Sequence, residues 1–372
     1  MRTITQKKTW AVILTVLATF ATLSTQAADV KTFPANDNGI TYTGRVAINA
    51  DGSVSYDWTG VYFQTDFTGG YFAIEASEAG TSWHNLFIDG KWVRKLQITG
   101  NNPQRIVLAE KLGKGVHRLR LQKCTEGQYG CTTIHQVVTA KGATLQAVES
   151  KQRMIEVYGD SYTCGYGTES SKANDPFRLE TENCDKAYGC IIARYFDADY
   201  ALTAHSGQGM VRNWADGKQI SDINMSTRYT RVFDDHGTQP YLFNRYQPQL
   251  VIINLGTNDF SPVAIPTDEQ YTNAYLKMIE TIKNKYQGVK IFCVTPHSAS
   301  RYLQASLQLL KERVASIPDV HMANPLTDMV TVEHDMGADW HPNYQGQRKI
   351  AMSLIPQISA IMGWSLTDKV VE

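Results

Sequence analysis

The chain has 372 residues, 42% of them apolar and 19% charged, an ordinary globular composition that excludes a fibrous or disordered protein. Its 36 basic and 36 acidic residues cancel. No Lys/Arg cluster or basic stripe marks the chain for nucleic acid or an anionic membrane surface, so a neutral partner is expected.

Arg2, Lys7 and Lys8 precede an uncharged apolar stretch from Trp10 to Leu23, and Thr25-Gln26-Ala27 places small residues where a signal peptidase reads. The stretch is short of the roughly 20 apolar residues that a membrane span needs. Residues 1–27 therefore read as a cleaved export signal, and the mature protein as secreted or periplasmic. Removal of the leader takes three basic residues and no acid, leaving a net charge of −3. No later segment is apolar enough to cross a membrane, so no membrane partner is expected after cleavage.

From residue 28 to about 150 the sequence reads as short strands and turns. Asp51-Gly52 separates Arg45–Asn49 from Val54–Trp58, and Asp89-Gly90 separates Asn85–Ile88 from Lys91–Val93. Asp-Gly between such runs marks a hairpin. Arg118-Leu119-Arg120-Leu121-Gln122 alternates as a half-buried strand does. With no helical pattern in between, an all-β sandwich of jelly-roll type is expected.

Past residue 150 the period changes. Strand-like runs at Met154–Tyr158, Tyr200–Ala204, Leu250–Leu255 and Val289–Thr295 alternate with helical patterns, which predicts a parallel sheet with crossover helices over 151–372. Thr267-Asp268-Glu269-Gln270 has the form of a capping box before a helix with Tyr271, Tyr275, Met278 and Ile282 on one face. Leu303, Leu307, Leu310, Val314 and Ile317 repeat likewise. A last helix is predicted from about Asn343, burying Ile350, Leu354, Ile358 and Ile361 and stopping at Gly363.

Six cysteines in an exported chain of this length fit a few staples rather than a disulfide scaffold. Pairing of Cys124 with Cys131 is expected, as is at least one bond among Cys164, Cys184 and Cys190, with Cys293 a buried free thiol. No Cys-x-x-Cys or His-x-x-x-His spacing calls for a metal, and no cofactor is expected.

Three strand ends carry candidate chemistry. Gly159-Asp160-Ser161-Tyr162 follows the first strand of the parallel sheet and offers a hydroxyl at its carboxyl edge. Ser206-Gly207-Gln208-Gly209 follows the second, where a Gly can turn its N–H toward a ligand. Gly256-Thr257-Asn258-Asp259 follows the third and brings a side-chain amide. His341, in Asp339-Trp340-His341-Pro342 before the last helix, is the base that a serine nucleophile requires. The expected oxyanion donors are the N–H groups of Ser161 and Gly207 and the amide of Asn258. Trp340, Trp214 and Tyr166 are candidate rings for a sugar face.

This set of motifs resembles the SGNH (GDSL-type) hydrolases, whose marker residues would be Ser161, Gly207, Asn258 and His341. The extended run Gly159–Gly167, Asp-Trp-His-Pro near the end and Asp57-Trp58-Thr59-Gly60-Val61 in front make the chain similar to carbohydrate esterase family 2. That resemblance implies a jelly roll joined to a flavodoxin-like α/β/α domain. It also implies removal of acetyl groups from plant-wall polysaccharides or their fragments, the substrate being an acetylated carbohydrate. The protein is expected to be a monomer. Many SGNH enzymes carry a triad acid three residues before the His, a place that Ala338 holds here. Asp339, two before, is the candidate acid, the alternative being a backbone carbonyl behind His341. A lipase- or thioesterase-like hydrolase, an acetyltransferase on the same scaffold and a non-catalytic carbohydrate-binding protein are the rival readings.

Overall fold

The computed structural model describes residues 29–296, 299–325 and 329–372; the expected export signal lies outside them. From Val30 to Gln146 the described chain forms one antiparallel ten-stranded network. Both expected hairpins are present: Ile48 pairs with Val54, and Ile88 pairs with Lys91 across a turn in which Asp89 and Gly90 have φ of 52° and 76°. The second hairpin is far longer than its turn foretells, its strands running over Phe72–Ile88 and Lys91–Ala109. The first of these passes from one half of the network to the other. Its Phe72–Gly80 part pairs with the strand Gly130–Ala140 and its His84–Ile88 part with His117–Lys123. Register shifts between Ala76 and Thr81 mark the bend where a sheet turns its corner. Trp58, Phe63, Phe72, Leu86 and Leu121 fill the core inside the bend.

The second half is a five-stranded parallel sheet. Its order is Ala198–Ala204, Arg153–Gly159, Leu250–Asn254, Lys290–Cys293 and Val320–Met322, which is 2-1-3-4-5 by position in the chain. Alternate residues of each buried strand face opposite layers. Ile252 packs with the helices Tyr188–Tyr195 and Tyr344–Met362, while Val251 and Ile253 pack with Asp268–Lys285 and Arg301–Val314. The predicted caps are in place. Thr267 and Gln270 form a reciprocal capping box, Asn343 accepts from the N–H groups of Gln345 and Gly346, and Gly363 ends the last helix at φ 66°.

Buried polar groups join the two halves. Arg45 donates to the backbone oxygens of Tyr229 and Arg231 and pairs with Glu156 at 3.0 Å inside the first parallel strand. Asp57 accepts from the N–H groups of Asp234, Asp235 and His236. The expected disulfides are not formed: the six cysteines are all buried and free. Cys124 packs in the helix layer with its thiol toward the Trp83 carbonyl, whereas Cys131 faces a shallow hollow beside Ser55 and Thr133, so the two point apart. Cys184 and Cys190 are in hydrogen-bond contact without being joined.

Candidate active site

In a 2-1-3 arrangement the chain leaves neighbouring strands in different directions, and a crevice opens at their carboxyl ends. The three sequence motifs converge there. Gly159 ends the first strand, and a Cβ on it would lie 2.0 Å from the Thr163 hydroxyl, so only Gly lets the chain turn so tightly. Asp160 then caps the short helix Ser161–Cys164 by accepting from the Tyr162 N–H. Burial pushes the Asp160 carboxyl up to about 7. Ser161 sits at the start of that turn with its hydroxyl 2.9 Å from Nε2 of His341. The end of the first parallel strand and the segment before the last helix, 180 residues apart in sequence, thus meet at one hydrogen bond.

The imidazole is held on its other side by backbone. Nδ1 of His341 lies 3.0 Å from the main-chain oxygen of Asp339. The Asp339 carboxylate accepts from the Tyr166 hydroxyl at 2.8 Å instead. Of the two alternatives for the group behind His341, the geometry places the carbonyl there and the carboxylate elsewhere. The cause is local: Asp339 and Trp340 both adopt left-handed φ, 47° and 61°, which turns the peptide back toward the ring. Such residues cost of order 1–3 kcal/mol each and need support from their surroundings. Here the support is the segment 173–175, whose Asp175 and Ala173 oxygens accept from the N–H groups of Asp339 and Trp340.

Burial lowers the His341 pKa below the ordinary histidine value, against the raising effect of the Asp339 and Ala338 backbone oxygens. The ring is also walled by aromatics. Tyr166 stacks between His341, at 4.2 Å, and Phe177, at 4.0 Å. Both faces of Tyr166 are therefore covered by protein rings, while the residue still lines the cleft.

The donors expected from the other two strands lie in the same cleft. Gly207 has φ 75°, and a Cβ on it would meet no protein atom within 4 Å, because that direction is the open cleft. Asn258 donates to the Gln208 oxygen at 2.8 Å and to Asp160 at 3.3 Å. Asp259, which sequence reading left without a role, accepts from the N–H groups of Met210, Val211 and Arg212 and so ties the second and third loops together. The cleft encloses about 560 Å³. Trp214 and Trp340 line it and are each 59% exposed. Gln128 and Tyr129 line it from the β-rich half, and no spacing in the sequence pointed to them. Among the described residues no helix is long and apolar enough to cross a membrane.

Comparison with known proteins follows the same division. Residues 42–148 match the carbohydrate esterase 2 N-terminal family, and 157–349 match the GDSL-like lipase/acylhydrolase family. The acetylxylan esterase/glucomannan deacetylase of Cellvibrio japonicus is 29% identical over 90% of this chain and 92% of its own. The cellulase/esterase CelE of Acetivibrio thermocellus is 28% identical over 91% of this chain, which spans only 41% of that relative's length. A family two carbohydrate esterase from Clostridium thermocellum, solved with cellohexaose, is 26% identical with a TM-score of 0.80, over 88% of this chain and all of that one. In both halves this protein is built as the family 2 carbohydrate esterases are, and it belongs to the GDSL-like lipase/acylhydrolase family.

Proposed function

We propose that the protein is an exported esterase that removes O-acetyl groups from plant-wall polysaccharides or their fragments through an acetyl-enzyme on Ser161. The 2.9 Å contact between the Ser161 hydroxyl and His341 carries this reading. A lone serine is a poor nucleophile, and an adjacent neutral imidazole supplies the missing base. Names of relatives that join acetylxylan and glucomannan to this architecture support the substrate class.

In the reaction His341 takes the Ser161 proton as the oxygen attacks the acetyl carbonyl. The Asp339 carbonyl accepts from Nδ1–H, fixes the tautomer and faces the imidazolium that forms. The oxyanion is held by the Ser161 and Gly207 N–H groups, and Asn258 exchanges its long contact with Asp160 for a third bond to it. His341 then protonates the departing sugar oxygen, and water repeats the sequence on the acetyl-enzyme. No step calls on a cofactor.

Two measurements test the proposal. Mass spectrometry of acetylated xylan and glucomannan fragments should show loss of acetyl groups, and Ser161→Ala should abolish it with the fold intact. A series of p-nitrophenyl esters should favour acetate over long chains. Preference for long acyl chains, or acetyl release by Ser161→Ala near the wild-type rate, would sink it.

A further inference from the structure

Beneath the cleft lies a buried polar cluster that the reaction above leaves unused. Glu126 of the β-rich half, Cys164 at the end of the nucleophile's helical turn and Glu182 are all buried, and a carboxylate oxygen or thiol sulfur of each lies within 4.8 Å of the others. The Glu126 carboxylate accepts from both the N–H and the hydroxyl of Ser206, the residue before Gly207. The Cys164 thiol also hydrogen-bonds to it. One carboxylate from the front half is thus bonded to the loop of the expected oxyanion donor and to the turn that carries Ser161. Two and three residues further on, Gln128 and Tyr129 reach the cleft wall.

Glu182 completes the arrangement. Both of its oxygens are buried, and among the described residues no hydrogen-bond donor from another side chain or backbone reaches either. It makes a side-chain contact with Glu126, and Lys123 is the cation that acts on it. The Lys123 ammonium itself is bonded to the backbone oxygens of Thr125 and Glu126. A carboxylate buried without donors takes up a proton. As the neutral acid, Glu182 can donate to the Glu126 carboxylate.

Resting on the esterase reading, we propose that Glu126 is a positioning residue of the reaction. As a carboxylate it fixes Ser206, and through it the Gly207 N–H, against the nucleophile turn, with Glu182 as its neutral acid partner. The β-rich half then belongs to the oxyanion machinery rather than merely flanking the cleft.

The test uses the full-length enzyme with Glu126→Gln, Ser206→Ala and the double variant, assayed on p-nitrophenyl acetate. Gln at 126 keeps shape and one acceptor, so the fold should persist. Its kcat should fall roughly 10- to 10²-fold, short of losing a whole oxyanion donor, with KM within about two-fold of wild type. Ser206→Ala should cost less, and the double variant should be no worse than Glu126→Gln alone, since both act through one contact. Hydrogen exchange over residues 204–209, which needs no turnover, should quicken in Glu126→Gln. Infrared spectra of the wild type should show a neutral carboxylic-acid carbonyl that Glu182→Gln removes. Unchanged kcat, losses that multiply in the double variant, or unchanged exchange would overturn the positioning role. Absence of the carbonyl band, or a stoichiometric metal in elemental analysis, would overturn the neutral acid. A wild type inactive on acetyl esters would instead defeat the esterase reading, while the exchange and infrared arms still report on the contact.

Discussion

Nδ1 of His341 faces the backbone oxygen of Asp339, while the carboxylate of the same residue turns away to the Tyr166 hydroxyl. A buried carboxylate behind a catalytic imidazole is a large contributor, and replacing it by an amide lowers kcat on the order of 10⁴-fold in a serine protease triad. A backbone carbonyl survives any change of side chain. Asp339→Asn should therefore lower kcat by no more than about 10-fold, far below the triad figure. Steady-state kinetics on p-nitrophenyl acetate decides, and a loss of triad size would return the acid to the Asp339 carboxylate.

The acid limb of the pH profile follows from the burial of His341. Only neutral imidazole can accept the Ser161 proton, so activity rises as pH climbs through the His341 pKa. Burial moves that pKa down, which moves the midpoint of the rise to the acidic side of the ordinary histidine value. The pH dependence of kcat/KM, which reports the free enzyme, measures it. A midpoint above the ordinary value would contradict the burial argument.

Trp340 stands exposed at the cleft beside the base. Trp340→Ala should raise KM for an acetylated oligosaccharide about 10-fold, the equivalent of about 1.4 kcal/mol. It should leave p-nitrophenyl acetate, which has no sugar ring to stack, within about two-fold. Equal losses on both substrates would assign the indole to the loop rather than to the sugar.

Arg45 and Glu156 form an ion pair 1% and 0% exposed between the two halves of the chain. Removing one member leaves the other as an uncompensated buried charge, at about 3–5 kcal/mol. Arg45→Met should lower unfolding stability by that amount in urea denaturation. A change below about 1 kcal/mol would contradict the argument from an uncompensated buried charge.

The parts of the fold that local rules govern were legible. Asp89-Gly90 specified a hairpin because only a few residues accept left-handed φ in succession, and Thr267/Gln270 and Asn343 specified helix starts through side chains reaching back to backbone N–H groups. Ser161, Gly207 and Asn258 could be named because a strand end fixes where the next few residues go, and His341 because it stands just before the last helix. Everything set by contacts between distant segments was hidden. The great length of the Phe72–Ile88 strand depends on two partners far along the chain, and Gln128 and Tyr129 reach the cleft only because of how the halves dock. The cysteine pairings failed for the same reason, since proximity in sequence says nothing of where Cys124 and Cys131 point.

The left-handed pair at Asp339 and Trp340 has a consequence for how such an enzyme can diversify. The same two dihedrals that present a carbonyl to the imidazole also swing the indole out over the cleft. Reshaping this loop to admit a different polysaccharide would therefore detune the base. New substrate preference is more readily reached through the Trp214 side chain, which borders the same space without touching the proton path. Selection can rework that side chain while the loop of Asp339 and Trp340 stays locked to the chemistry.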